Sequence, residues 1–163
     1  MTASSVVHAT FTVERLVKAA PDQVFAAFAD AKAKTRWFAS PEDLASGAYA
    51  LDFRVGGRER SVGGAPGGTI YTYDGFYQDI VPGRRIVVAY TMDAEAGDAD
   101  KARISASVAT FEFRPEGTGT RVVYTEQAAY LDGLDKPAFR EEGMNQILDT
   151  LVTAVDGDGK QAG

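Results

Sequence analysis

Cysteine is absent from this sequence, and histidine occurs once, as His8. The lack of cysteine excludes disulfides, thiol nucleophiles and thiolate metal sites. A serine triad, a histidine-rich zinc site or a two-histidine iron site would need more imidazole, or His8 in a central role. Because His8 begins the first predicted strand without a carboxylate motif beside it, we interpret it as a surface or edge residue. We therefore predict no metal site and no cofactor.

Basic residues are fewer than acidic ones, 17 against 23, and the formal net charge is -6. A negative protein repels nucleic acid phosphates and anionic lipid headgroups, so we expect neither as a partner. No apolar run approaches the roughly 20 residues of a membrane span, and residues 1–10 do not resemble a signal peptide. We expect a cytoplasmic protein without membrane insertion.

Two loops have a composition typical of ligand sites but lack the complete patterns. The segment GGAPGGT at 63–69 has neither the lysine nor the following helix of a phosphate-binding loop, and we interpret it as a link between strands. The acidic loop at 93–100 lacks the closing glutamate of an EF-hand, and we interpret it as a solvated loop.

The 163 residues fit one domain, and no repeat, linker or low-complexity block divides them. We predict a single domain over 8–155. Residues 1–7 and the polar, glycine-rich residues 156–163 are predicted to be flexible ends.

The first elements are a strand and two short helices. Apolar and polar residues alternate over 8–18, which predicts a strand. Pro21 favours the first turn of a helix, and Asp30 can cap a second helix that ends near Trp37 and Phe38.

Six further strands are predicted between the short helices and the carboxyl-terminal part of the chain. Gly56-Gly57 suits a tight hairpin, and Pro82-Gly83 suits a two-residue turn. Short connections make neighbouring strands antiparallel. The predicted strands are Leu51–Val55, Arg58–Val62, Thr69–Val81, Arg84–Met92, Arg103–Arg114 and Thr120–Tyr130.

The last element is a long amphipathic helix that begins near Ala138, with Pro137 in its first turn. Glu141 and Glu142 are interpreted as first-turn residues favoured by the helix dipole. One apolar-faced helix covering one face of an antiparallel sheet gives the α+β class. The apolar positions that recur with helical spacing are Met144, Ile147, Leu148, Leu151 and Val155.

This order of elements, with FTVERLVKAAPDQVFAAFAD at 11–30 and RWF at 36–38, resembles the START-like (SRPBCC) superfamily. Three further segments resemble the group named for the activator of Hsp90 ATPase homologue 1. They are LDFRVGGRER at 51–60, GFYQDIVPGRRIVVAY at 75–90 and TFEFRPEGTGTRVVYTEQ at 110–127.

The resemblance implies a helix-grip (START/Bet v 1-like) fold. In that fold a curved antiparallel sheet of about seven strands wraps a long carboxyl-terminal helix, and two short helices after the first strand help to close a cavity. Members of the superfamily commonly hold hydrophobic ligands there, and some are cyclases or hydrolases.

Aromatic side chains are the main candidates for the cavity lining. Most are expected to pack in the core, but tyrosines also suit a cavity because their hydroxyls can orient a ligand. Strand alternation leaves open which of Tyr71 and Tyr73, and which of Phe76 and Tyr77, faces inward. The residues that we predict to line the cavity are Trp37, Phe53, Tyr71, Phe76, Tyr90 and Met144.

Glu126 is the charged candidate of the site. If Val122 and Tyr124 face inward, the period of two turns Glu126 inward as well. A buried carboxylate needs a partner or a raised pKa. The residue is interpreted as a ligand anchor, as a general acid or base, or as half of a structural ion pair. Its candidate partners are Arg54, Arg58, Arg60 and Arg103.

Three functional hypotheses follow. The first is binding of a small hydrophobic or aromatic molecule between the sheet and the last helix, with Glu126 supplying polarity. The second is a cyclase or hydrolase that uses Glu126 as its acid or base. The third is a chaperone-linked or regulatory module that binds a protein partner through an exposed apolar patch.

Overall fold

The computed structural model describes residues 4–161, with side chains described over 4–157. Its helices are α1 (Pro21–Ala26), α2 (Ala31–Lys34), α3 (Pro41–Ser46) and α4 (Pro137–Gln161). Its strands are β1 (Val6–Val17), β2 (Tyr49–Leu51), β3 (Arg58–Gly63), β4 (Ile70–Val81), β5 (Arg85–Glu95), β6 (Ala102–Glu116) and β7 (Gly119–Leu131). The predicted α+β helix-grip architecture is confirmed.

The seven strands form one curved, unclosed antiparallel sheet in the order β1-β7-β6-β5-β4-β3-β2. Each strand from β2 to β6 pairs with the strand that follows it in the chain, and β1 pairs with β7 along its whole length. The concave face of this sheet carries the core, because alternate side chains of each strand point to the same side. On β7 these inward side chains are Val122, Tyr124, Glu126, Ala128 and Tyr130, all buried.

Helix α4 packs its apolar stripe, including Met144, Leu148 and Leu151, onto the concave face. Polar contacts fix it beside β1. Arg15 donates from Nε to Oδ1 of Asp149 at 2.7 Å and from Nη2 to Oδ1 of Asn145 at 2.8 Å. The helix therefore rests against one side of the curved sheet and leaves space toward the other side.

The short helices close one end of that space. Pro21 begins α1, and Oδ1 of Asp30 accepts a hydrogen bond from the Ala33 N–H at 2.8 Å, as a cap of α2. Phe28, between these helices, packs its ring 4.7 Å from that of Trp37 and 4.9 Å from that of Phe111. These contacts fix the α1–α2 segment over the concave face.

Helix α3 is absent from the sequence prediction. Ser40 caps it by accepting a hydrogen bond from the Asp43 N–H, and Asp43 accepts one from the Ser40 N–H, each at 3.1 Å. Pro41 occupies its first turn and Gly47 ends it with φ of 80°. The sequence signal for this helix is a Ser-Pro pair, followed by an acidic residue at the third helical position and a closing glycine.

The predicted strand Leu51–Val55 and the tight Gly56-Gly57 hairpin are wrong. Strand β2 ends at Leu51, which pairs with Glu59. Gly56 and Gly57 instead exchange backbone hydrogen bonds with Tyr77, at 2.8 and 3.0 Å. A Cβ on Gly57 would lie 2.1 Å from the Asp52 carbonyl oxygen, so glycine is required by this close approach.

Helix α4 begins at Pro137, so Glu141 and Glu142 lie in its second turn, and its first turn holds no acidic residue. It continues through Gln161, into the segment 156–163 predicted to be flexible, while residues 162–163 lie outside the described part. Strand β1 begins at Val6, within the segment 1–7 that was predicted to be flexible. Residues 1–3 of that segment lie outside the described residues. None of the helices within residues 4–161 is long and apolar enough to cross a membrane.

Candidate functional site

A cavity of about 650 Å³ lies between the concave face of the sheet and helix α4. Strands β3 to β7 supply one side of it, α4 supplies the other, and the α1–α2 segment closes one end. Its volume is within the roughly 300–1,000 Å³ typical of small-molecule sites.

Most of the cavity surface is apolar. Its aliphatic side chains are Ile86, Val88, Met92, Ile104, Ala109, Leu134, Met144 and Ile147. Its aromatic side chains are Phe28, Trp37, Phe38, Tyr71, Tyr73, Tyr77, Tyr90, Phe111, Tyr124 and Phe139.

The mouth of the cavity lies between the start of α4 and the β3–β4 hairpin. Leu134 and Phe139 are exposed on one side of it and Tyr71 on the other, and Gly63 and Gly64 complete the hairpin side. The two glycines carry no side chains, so their part of the rim is open. Because Leu134, Phe139 and Tyr71 are exposed at the mouth, an apolar molecule can contact hydrophobic groups there before it enters the cavity.

The first of two polar clusters, which we name the Lys34–Glu59 cluster, joins Lys34, Tyr49, Glu59 and Tyr77. The Lys34 Nζ lies 2.6 Å from Oε2 of Glu59, and both side chains are buried. Tyr49 donates to the same oxygen at 2.5 Å, and Tyr77 donates to Oε1 at 3.0 Å. Since three donors converge on Glu59, its charge is compensated within the protein.

Aromatic rings surround the ammonium group of this cluster. The Lys34 Nζ lies 4.5 Å from the ring centroid of Phe38 and 5.2 Å from that of Trp37. Such cation–π contacts stabilise a desolvated cation. Burial, reinforced by the charge of Glu59, raises the pKa of both Tyr49 and Tyr77, so each phenol stays a donor.

The second group, which we name the Glu126–Arg140 cluster, is centred on a fully buried carboxylate. Glu126 accepts hydrogen bonds from Tyr90 at 2.6 Å, from Ser107 at 3.0 Å and from Tyr124. Nη1 of Arg140 lies 3.0 Å from Oε2 of Glu126 and also donates to the Tyr90 hydroxyl at 2.7 Å. Helix α4 is thereby joined to β5, β6 and β7 through one buried charge.

Arg140 also reaches a second carboxylate. Its Nη2 donates to Asp135 at 2.5 Å and to Ser105 Oγ at 2.8 Å. Burial acts to lower the pKa of Arg140, but the neighbouring Tyr90, Glu126 and Asp135 outweigh it and raise the pKa above its usual value. The guanidinium is therefore a fixed positive charge with both terminal nitrogens engaged.

Tyr73 differs from the tyrosines of these clusters. Its ring stacks on that of Tyr90 with a centroid distance of 4.6 Å, and its hydroxyl has no hydrogen-bond partner within the described residues. The hydroxyl lies over Gly75, where an added Cβ would be 2.9 Å from it. Burial raises the pKa of Tyr73, so its hydroxyl remains a free donor facing the cavity.

Gly143 lines the cavity from inside α4, and an added Cβ would meet no atom within 4 Å. Because glycine in a helix interior is about 1 kcal/mol less favourable than alanine, Gly143→Ala is expected to raise the free energy of unfolding by about that amount. Urea denaturation measures this. Gly157→Ala, in the same helix but outside the cavity lining, is the matched control and should stabilise less, since it lies nearer the helix end. A destabilised Gly143→Ala protein would show that the space above this glycine is occupied.

Four of the predicted site residues line the cavity: Trp37, Tyr71, Tyr90 and Met144. Strand β4 answers the question of which aromatic residues face inward, because Tyr71, Tyr73 and Tyr77 all face the cavity. The ligand-binding role of these four residues stays a prediction.

The other three predicted residues do not line it. Phe53 packs edge-on against Phe25 and Tyr77 at 5.6 and 5.1 Å. Phe76 is 45% exposed on the opposite face of the sheet, beside Arg58. Glu126 is turned inward as predicted but lies behind Tyr90 and Tyr124, so it acts on the cavity only through their hydroxyls and Arg140.

The predicted partners of Glu126 are wrong. Arg54, Arg58 and Arg103 form ion pairs with Asp52, Asp74 and Asp93 at 2.9, 2.7 and 2.7 Å. The first pair is two residues apart in a loop, the second is diagonal across β3 and β4, and the third is directly opposite across β5 and β6. Arg60 makes no hydrogen bond or ion pair with Glu126 within the described residues.

Sequence analysis missed the actual partner, Arg140, and the whole Lys34–Glu59 cluster. Arg140 lies four residues before Met144, so helical periodicity places both on one face, and this signal was available. Lys34 precedes Trp37 and Phe38 by three and four residues, which is similar evidence of an inward lysine. Over the described residues no group of three or more side chains is arranged to hold a metal ion.

Comparison with known proteins gives a family. Residues 18–156 match the sequence family described as Activator of Hsp90 ATPase homolog 1-like protein. The chain belongs to this family.

Solved structures of similar proteins agree with this membership. The Mll3558 protein from Rhizobium loti is 43% identical, with 92% of this chain and 99% of that one aligned at a TM-score of 0.82. An uncharacterized protein from Rhizobium leguminosarum is 40% identical over 94% and 98% of the two chains, with a TM-score of 0.83.

A more distantly similar structure shares the fold alone. The Aha1 dimer from Colwellia psychrerythraea is 13% identical over 91% of this chain and 96% of that one, with a TM-score of 0.63. No curated protein matches the chain in sequence.

Proposed function

We propose that this protein binds a small, largely apolar or aromatic molecule in the cavity between the sheet and α4. The observation that carries the proposal is a cavity of about 650 Å³ whose surface is mostly aromatic and aliphatic, on a fold that commonly binds ligands.

The energetics of an empty cavity support an occupant. At ~24 cal/mol per Å³, the coefficient for engineered voids, a dry space of this size would cost about 16 kcal/mol. That figure equals or exceeds the ~5–15 kcal/mol by which whole domains are stable. The space must therefore be filled, either by water or by a ligand.

The polar groups of the lining favour a ligand over water. A buried water needs about two to four polar partners. The hydroxyls of Tyr77, Tyr90 and Tyr124 already donate to Glu59 or Glu126, and the two cations are paired with carboxylates. A largely apolar molecule covers the remaining surface and leaves only the Tyr73 hydroxyl among these tyrosines in need of an acceptor.

An NMR chemical-shift titration with fatty-acid methyl esters, sterols and plant-type polyphenols tests the proposal. Saturable shifts are expected at the residues that line the cavity, and Met144→Trp is expected to abolish them, because the indole fills space beside α4. Val108→Trp places the same bulk on an exposed strand position outside the lining and should leave binding unchanged.

Two results would contradict the proposal. One is the absence of saturable shifts with every compound. The other is equal affinity in the Met144→Trp protein, provided that its circular dichroism shows an intact fold.

A further inference from the structure

We propose, resting on the ligand-binding function above, that the cavity admits uncharged molecules with a carbonyl or ether oxygen and excludes organic anions. Two observations support the inference. Each charged side chain of the site is already paired with an opposite charge. The Tyr73 hydroxyl, in contrast, has no hydrogen-bond partner within the described residues.

The cavity contains more negative than positive charge. Lys34 and Arg140 are its two cations, and Glu59 and Asp135 are carboxylates of the same lining. Glu126 adds a third carboxylate directly behind Tyr90 and Tyr124. The described site therefore carries one net negative charge.

Neither cation is free to bind an incoming acid. The Lys34 ammonium lies 2.6 Å from Glu59, whose two oxygens also hold the hydroxyls of Tyr49 and Tyr77 in place. Exchanging Glu59 for a ligand carboxylate would leave those hydroxyls and a buried carboxylate unsatisfied. An entering anion would thus be buried without a counterion.

Arg140 is committed in the same way. Its Nη1 contacts Glu126 and Tyr90, and its Nη2 contacts Asp135 and Ser105. A ligand anion that approached the guanidinium would lie beside Asp135, a carboxylate that also lines the cavity. The resulting repulsion is strong because the surroundings are poor in water.

Tyr73 supplies the complementary donor. Five tyrosines line the cavity, and Tyr71 is exposed at its mouth. Of the four that lie deeper, Tyr77, Tyr90 and Tyr124 donate to carboxylates. The Tyr73 hydroxyl has no partner in the described chain, and its raised pKa keeps it protonated. A ligand carbonyl or ether oxygen would satisfy it without bringing a charge.

A matched pair of dyes tests the exclusion of anions. N-phenyl-1-naphthylamine is uncharged, and 8-anilino-1-naphthalenesulfonate has the same aromatic framework with one sulfonate. The uncharged dye is expected to bind with a dissociation constant at least about tenfold lower. Loss of the signal in the Met144→Trp protein shows that the dye is in the cavity. If the anionic dye binds there as tightly as the uncharged one, the inference is wrong while ligand binding stands.

If neither dye, nor any compound of the NMR panel, binds in the cavity, the proposed function itself is overturned, and the inference with it. The two failures are therefore distinguishable.

Removing one carboxylate tests the electrostatic cause. Asp135→Asn leaves Arg140 paired with Glu126 and is expected to tighten binding of the anionic dye about tenfold, with the uncharged dye changed less than about twofold. Asp149→Asn removes a carboxylate that pairs with Arg15 outside the cavity lining and should change neither. Equal changes for both dyes in Asp135→Asn would assign the effect to altered structure and would overturn the electrostatic explanation.

A second matched pair tests the donor. Tyr73→Phe is expected to weaken binding of benzophenone about fivefold and to leave diphenylmethane, which lacks the carbonyl, unchanged. If both compounds lose affinity equally, Tyr73 contributes packing and not a hydrogen bond.

Discussion

Raising the pH above 10 is expected to unfold the protein in one cooperative step. Six of its seven tyrosines have a pKa that the fold raises above the ordinary value. Burial is the largest cause in each case, and the charge of Glu59 or Glu126 adds to it. The folded state keeps these phenols protonated while the unfolded chain ionises near pH 10. Their contribution to stability is therefore complete below that pH and is lost as the pH rises.

The size of this effect follows from proton linkage. A phenol that stays protonated in the folded state but ionises in the unfolded chain lowers the free energy of unfolding by about 1.4 kcal/mol for each pH unit above 10. For five of them together the loss is about 7 kcal/mol per pH unit, against a typical total of ~5–15 kcal/mol. We expect the unfolding midpoint between about pH 10.5 and 12. The five are Tyr49, Tyr73, Tyr77, Tyr90 and Tyr124.

Phenolate absorbance and far-ultraviolet circular dichroism, followed on the same samples, measure the transition. The two signals are expected to change together. Tyr73→Phe removes one phenol that has no hydrogen-bond partner and should move the midpoint upward by about 0.2–0.5 pH units. A protein whose phenolate absorbance rises fully while its circular dichroism is unchanged would contradict the prediction.

Glu59→Gln is expected to lower the free energy of unfolding by about 3–5 kcal/mol. The substitution preserves shape but keeps only one of the two oxygens to which Tyr49 and Tyr77 donate, and it leaves the buried Lys34 ammonium without its counterion. Urea denaturation at neutral pH measures the loss. Asp52→Asn, which breaks the exposed pair with Arg54, is the control and should cost less than about 1 kcal/mol.

The double variant Lys34→Met with Glu59→Gln separates charge from packing. It removes both charges, and methionine fills the space among the rings of Phe28, Trp37 and Phe38. We expect it to recover most of the stability lost by Glu59→Gln alone. A double variant as unstable as the single one would assign the loss to the glutamine side chain and not to the unpaired lysine.

The sequence predicted the elements whose signals are local. The alternation from Val122 to Tyr124 is sufficient to turn Glu126 inward, because β7 is regular along this stretch. The same alternation explains why Phe76 was wrongly predicted to line the cavity. Tyr71 and Phe76 are an odd number of positions apart, so a regular strand cannot turn both toward one side.

The partners of the buried charges depend on contacts that are distant in the chain. Lys34 and Glu59 meet because the α1–α2 segment folds over the curved end of the sheet, and no periodicity relates a short helix to a strand beyond it. Arg140 could be placed on the inward face of α4, but its choice of Glu126 depends on how the helix lies across β5 to β7. The arginines predicted as partners of Glu126 pair instead with carboxylates close to them on the same loop or on the neighbouring strand.

The pairing of β1 with β7 has a consequence for biosynthesis. Roughly a hundred residues separate the end of β1 from the start of its partner strand. At about 5–20 residues per second, a ribosome needs about 5–20 s to make that stretch. During this time β1 has no strand to bond with, while β2 to β6 can form neighbouring hairpins as they emerge. The nascent chain therefore exposes an unpaired first strand until late in translation, when the last strand completes the sheet.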